Sequence, residues 1–164
     1  MTASDGPLQD GRADFDFEIG RWKVYSRRLR EWLKGSTAWE EFEGIAVARK
    51  VLGGLGLIDE ITNERPTGPA QGMTVRLFDP QTQQWSIYFA DSIHGTLTTP
   101  LIGRFAQGRG AFYALEPLEG KHILSRYLWL DITATSYRWE QAFSADGGGT
   151  WETNWIQEHV RLQE

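Results

Sequence analysis

Apolar and polar residues alternate with a period of two along most of the chain, while a period of 3.6 is almost nowhere visible. This pattern predicts strands. The exception is Asp14–Ile19, short and acid-rich, which reads as one helical turn halted where Gly20 supplies a left-handed residue. The predicted strands are Trp22–Arg30, Trp39–Lys50, Leu57–Asn63, Met73–Phe78, Gln84–Asp91, Leu101–Ala106, Ala111–Leu115, Ile123–Ile132, Tyr137–Ser144 and Trp151–Leu162. Turn-forming residues separate them at Lys34-Gly35-Ser36, Gly53-Gly54-Leu55-Gly56, Arg65-Pro66-Thr67-Gly68-Pro69, Asp79-Pro80 and Gln107-Gly108-Arg109-Gly110. About ten strands with short connections and no crossover helix predict an all-β antiparallel meander, closed into a barrel or stacked as a sandwich. Ser92–Pro100 is the longest irregular stretch and reads as a loop at the mouth.

The 164 residues suit a single domain. The polar segment 1–13 reads as a flexible N-terminal tail, and 14–164 as the barrel domain. Cysteine is absent, which excludes disulfides, thiolate nucleophiles and zinc–thiolate sites. A net charge of -5 starts badly for a nucleic-acid partner. The one basic cluster places Arg21, Lys23 and Arg27 on one strand face and Arg28 and Arg30 on the other, and reads as solvated surface with ordinary ion pairs. The segment 1–13 has no basic region followed by an apolar run, and no run of 18 apolar residues occurs anywhere. Neither a signal peptide nor a membrane span is therefore expected, and the location expected is cytoplasmic. Aromatic residues make up 13% of the chain and include eight Trp, which suits an aromatic-lined cavity or a wide packed core.

Gly20-Arg21-Trp22, directly after the helical turn, resembles the Gly-x-Trp signature of lipocalins and their calycin relatives. The resemblance implies a lipocalin-like (calycin) barrel in which Trp22 packs across the closed end under a basic residue of the last strand, here Arg161. More widely, the chain resembles an uncharacterised bacterial family of lipocalin-like proteins. The matching blocks are Phe15 to Trp22, Leu52-Gly53-Gly54-Leu55-Gly56, Leu77-Phe78-Asp79-Pro80 leading to Trp85, and Arg138 to Ser144 running on to Trp151. This implies a fold and a cavity but no settled activity. Ser144-Ala145-Asp146-Gly147-Gly148-Gly149-Thr150-Trp151 looks like the Asp-box hairpin of sialidase propellers, which need several blades. A single copy reads as a hairpin tip capped by Asp146.

No nucleophile elbow, Walker loop or His-x-x-x-His spacing is present. Gly53-Gly54-Leu55-Gly56 lacks the Lys and helix of a phosphate loop and reads as a strand corner. Among the histidines, His94 is placed at the rim, His122 in a solvated turn, and His159 on a face shared with Trp155, Gln157 and Arg161. Asp59 and Glu60 are adjacent on one strand, so one of them points inward and must be paired or protonated. Two apolar-leaning faces on several strands imply either an outer surface covered by the N-terminal segment or by a partner subunit, as in a homodimer, or polar groups inside the cavity. Taking the second, the ligand site is predicted at Arg76 and Tyr88 with Glu60 beside them, and at Trp139, Gln141, Trp155 and His159 across the cavity.

Fold analogy does not choose a function. Binding of a small apolar or amphipathic molecule leads, because a barrel wider than about eight strands has room inside. No cofactor is required by this reading. An acid–base enzyme of the isomerase, cyclase or decarboxylase kind, using Glu60, Tyr88, Arg76 or His159, is the first alternative. A haem-binding barrel with His159 as ligand is the second; it resembles the nitrobindin branch of the calycins only in outline.

Overall fold

The computed structural model describes residues 10–163. Ten antiparallel strands form a closed barrel: β1 (Gly20–Leu29), β2 (Trp39–Val51), β3 (Gly56–Arg65), β4 (Gly68–Asp79), β5 (Gln84–Asp91), β6 (Leu101–Ala106), β7 (Arg109–Leu118), β8 (Lys121–Leu130), β9 (Ser136–Ser144) and β10 (Glu152–Arg161). Each strand pairs with its neighbours in sequence, and β1 closes the ring on β10. The chain is thus the meander that the period-two pattern predicts. β4 begins five residues earlier than expected because Gly68–Gly72 completes a hairpin with β3, in the register Arg65↔Gly68. Pro69 is tolerated there because β5 pairs with β4 only from Gly72 onward, so the missing N–H is not needed.

Two short 3-10 turns, Gly11–Ala13 and Asp16–Glu18, lie under one end of the barrel. The expected tail, 1–13, falls mostly outside the described residues. Its last part docks on the barrel: Gln83 accepts the Gly11 N–H, the Gly11 carbonyl accepts Trp85 Nε1–H at 3.2 Å, and Lys50 donates to the Arg12 carbonyl. Gly20 takes φ +119°, a conformation other residues rarely adopt, and a Cβ there would lie 2.9 Å from Arg161 Nη1. The chain therefore turns from the 3-10 segment into β1 on a glycine that also lets Arg161 reach across it.

Strand register settles which residues face inward. Directly opposed residues share a face, so Arg76↔Ile87, Phe78↔Trp85 and Asp59↔Thr74 identify one inner surface. Tyr137↔His159, Trp139↔Gln157 and Gln141↔Trp155 identify another. The end under the 3-10 turns is filled. Phe15, Trp22, Phe78, Trp85, Phe112 and Trp129 are buried there, with Phe15 set edge-on to Trp85, Phe105 and Trp129. Such rings pack rigidly and bury much area per residue. The opposite end carries the β1–β2 connection and the Ser92–Pro100 loop, and there the interior is open.

Candidate functional site

A cavity of about 410 Å³ occupies the upper half of the barrel. Its walls are Ile61, Phe89, Tyr127, Trp129, Trp139, Gln141, Phe143, Trp155, Gln157 and His159, and Arg28, Trp32, His94 and Thr98 stand toward the mouth. Flat aromatic walls dominate, with Trp139 edge-on to both Tyr127 and Trp155. A pocket of this size and character suits one small, mainly apolar molecule.

The floor is a polar network. Glu18, on the second 3-10 turn, projects up into the barrel and forms an ion pair with Arg76 Nη1. Its other oxygen accepts the Tyr137 hydroxyl at 2.6 Å. Arg76 Nη2 reaches Asp59 Oδ2 at 3.1 Å, and Arg76 Nε donates to Thr74 Oγ1 at 3.0 Å. Asp59 also accepts the Thr74 N–H and hydroxyl. The guanidinium lies over Phe15 and Trp129, 4.5 and 4.9 Å from their ring centres. A buried charge costs heavily unless paired, and here it is paired twice. Burial works against the charge of Arg76, but Glu18 and Asp59 outweigh it and hold its pKa above the ordinary value. Burial raises the Asp59 carboxyl, only partly countered by Arg76, because two acids share one guanidinium. Tyr137 is raised by burial and by Glu18.

His159 packs against this floor. Its ring stacks on Tyr137 at 4.2 Å, Nε2 meets Gln157 Oε1 at 2.9 Å, and Nδ1 is buried without a partner. Burial pushes its pKa down to about 3, so the imidazole is neutral at ordinary pH. Gln141 donates to Asn154 Oδ1 at 2.8 Å. Asn154 is brought inside by a register shift between Thr153 and Trp155.

Five of the seven residues expected at the site, Arg76, Trp139, Gln141, Trp155 and His159, line this cavity. Glu60 and Tyr88 do not. Tyr88 opposes Val75, on the face opposite Arg76, and the inward residues of β5 are Trp85, Ile87 and Phe89. Glu60 opposes Met73, whereas Asp59 opposes Thr74 on the inner face. A cavity with polar groups on its wall predicts Tyr88 inward, but β5 turns its apolar set inward instead. The closed end needs Trp85 and Ile87 for its packed layer, and Phe89 continues the same face into the cavity wall.

Asp59 is the inward member of the Asp59–Glu60 pair, and Glu18, Arg28 and Trp32 belong to the cavity without having been expected there. Arg28 belongs to the basic cluster that reads as solvated surface, yet the structure turns it inward with Trp22 and Val24. Trp32 is carried over the mouth by the β1–β2 connection, which is pinned where Leu33 N–H donates to Glu152 at 2.7 Å. The acid-rich turn was the only sequence signal for Glu18. The Asp-box segment is a hairpin tip, as expected: Asp146 accepts the Thr150 N–H at 2.8 Å and its hydroxyl at 2.7 Å, as well as the Ser144 hydroxyl.

With the geometry in place, the chain belongs to the family described as "Protein of unknown function (DUF1579)", whose model matches residues 9–110. No curated protein matches the chain. Among solved structures, the S-type phycobiliprotein lyase CPES from Guillardia theta is similar in fold. It has a TM-score of 0.62 and 9% identity, covering 96% of this chain and 95% of that one. EF1p2_mFAP2b bound to DFHBI has a TM-score of 0.50 and 11% identity, covering 94% and 100%. At such identities the likeness is one of fold.

Proposed function

We propose that the protein binds one small, flat, largely apolar molecule in the barrel cavity, with a polar group on the ligand meeting the few polar atoms of the wall. The observation that carries this reading is the combination of a filled closed end and an unfilled upper half. The same barrel that buries Phe15, Trp22 and Trp85 completely leaves about 410 Å³ open between walls that include Trp139, Trp155, Phe89 and Phe143. Well-packed interiors avoid such voids, because lining atoms lose contacts that a ligand restores. The fold neighbour EF1p2_mFAP2b, with DFHBI bound, is consistent with a small molecule in a barrel of this kind.

Trp139, Gln141, Trp155 and His159 form the binding walls, and Arg76 with its acids forms a fixed polar floor. The alternatives draw no support from His159, whose ring is stacked on Tyr137 and engaged at Nε2 by Gln157, deep beside the floor. Among the described residues no group of three His, Cys, Asp or Glu side chains is placed to hold a metal, and none of the helices is long and apolar enough to cross a membrane.

The test is titration with a neutral aromatic fluorophore such as pyrenebutanol, on the wild type and on Ile61→Trp, which fills the cavity from β3. The expected result is saturable binding that the variant loses while keeping its thermal midpoint. Equal binding by the folded variant contradicts the proposal.

A further inference from the structure

The inner wall near the mouth holds a cation that nothing in the floor network uses. Arg28 is the last inward residue of β1, opposite Trp155 on β10 and Glu40 on β2. Its guanidinium carbon lies 4.5 Å from the Trp32 ring centre and 5.0 Å from that of Trp155. The neighbouring acid is already taken: both Glu40 oxygens accept from Arg65, Nε and Nη2, at 3.0 Å each. Among the described residues no carboxylate comes within 4.0 Å of an Arg28 nitrogen. Arg28 Nε, Trp32 Nε1 and Trp155 Nε1 are all buried without a hydrogen-bond partner. All three are donors.

Buried polar groups in native proteins are paired, and an orphan donor costs free energy until an acceptor arrives. Two orphan indole donors beside an unpaired guanidinium, whose own Nε is the third, call for an acceptor-rich anion. A guanidinium between two indoles is held in plane by the ring faces, leaving its edge free to fork onto a carboxylate. The floor cannot provide this, because Arg76 is bound to Glu18, Asp59 and Thr74. Glu116, an acid that also lines the cavity, has its carboxyl pKa raised by burial.

We propose that Arg28, clasped by Trp32 and Trp155, anchors the carboxylate of a flat apolar acid whose body fills the cavity below. The inference rests on the cavity being a ligand site, and names the ligand class. The amphipathic acid enters body first and leaves its charge at the mouth.

Two probes with the same body and different heads separate the two claims: pyrenebutyrate and pyrenebutanol. Binding of each is measured by fluorescence on the wild type, Arg28→Met and Arg28→Lys. Arg28→Met is expected to weaken pyrenebutyrate roughly 10- to 100-fold, the range for losing a charge-assisted hydrogen-bonded pair, and to leave pyrenebutanol within about twofold. Arg28→Lys, which keeps charge but loses the fork, falls between. Should Arg28→Met fail to fold, the wild type still decides the matter. Rising salt is expected to weaken pyrenebutyrate and not pyrenebutanol, and equal salt responses overturn the anchor. Unchanged pyrenebutyrate affinity in Arg28→Met overturns the anchor and leaves cavity binding standing. Equal loss of both probes makes Arg28 a shaping residue and also overturns the anchor. Failure of both probes on the wild type overturns the cavity reading together with this one.

Discussion

Arg161 lies over the indole of Trp22, its guanidinium carbon 4.2 Å from the ring centre, across the β1–β10 seam that closes the barrel. The same guanidinium donates to the carbonyls of Ile19, Phe17 and Ala134 at 2.7, 2.5 and 2.9 Å. Trp22 Nε1–H in turn donates to the Glu18 carbonyl at 2.8 Å. Together they tie the 3-10 segment, the first strand and the last strand into one knot. Arg161→Ala is expected to cost about 2 kcal/mol of stability in urea denaturation, from lost hydrogen bonds and cation–π contact. Arg161→Lys restores little, because an ammonium cannot fork onto separate carbonyls.

The floor network responds differently to single and double substitution. Arg76→Met strands Glu18 and Asp59 in the core and is expected to cost about 3–5 kcal/mol, as does loss of one partner from a buried pair generally. Glu18→Gln combined with Arg76→Met is expected to cost clearly less than the sum of the two. Additive losses in a double-mutant cycle contradict a coupled network.

The seam and the network differ in how far they were legible in the sequence. Gly20, Trp22 and Arg161 stand at positions that a period-two reading and one short motif identify, and the structure brings them together. Strand positions were also legible, since turn residues bracket each run. Facing was not uniformly so. Trp85, Ile87 and Phe89 alternate with Ser86 and Tyr88, and either set makes an acceptable wall until the register with Arg76 is known. Asp59 and Glu60 are chemically equivalent neighbours, separated only by pairing with Thr74 or Met73. Arg28 looked like surface because period two cannot say which face of a basic strand turns inward. Glu18 reaches the core only once ten strands have closed above it.

His159 makes acid stability specific to one side chain. Its folded pKa, pushed down to about 3 by burial, is below the ordinary 6.5. The unfolded chain therefore binds the extra proton first. The contribution is complete above about pH 6.5 and is lost as pH falls toward 3, with a slope of up to about 1.4 kcal/mol per pH unit. The raised Asp59 has the opposite sign, its contribution being complete below its ordinary value and lost as pH rises. Since Asp59 is present in both proteins, the difference between wild type and His159→Gln isolates the histidine. The variant is expected to lose less stability than wild type between pH 6.5 and 4, measured by urea midpoint; parallel curves contradict a buried neutral imidazole.

Asp146 offers the same experiment at an exposed turn. Hydrogen bonds from the Thr150 side chain and backbone, and then from Ser144, lower its pKa to about 2 from an ordinary 3.8. Its stabilisation is present above about pH 3.8 and lost as pH falls toward 2. Asp146→Asn is expected to speed amide exchange at Thr150 and to leave fluorophore binding unchanged. Loss of binding in this variant contradicts a purely capping role.

The cavity is tested most directly by the indole N–H resonances of the isotope-labelled protein during titration with pyrenebutanol. Trp32, Trp129, Trp139 and Trp155 line the cavity, whereas Trp39 and Trp151 do not. The Trp139 and Trp155 signals are expected to move strongly with added ligand while those of Trp39 and Trp151 stay in place. Saturable shifts confined to Trp39 or Trp151, or no shift at any indole under conditions where the fluorophore binds, contradict a ligand site inside the barrel.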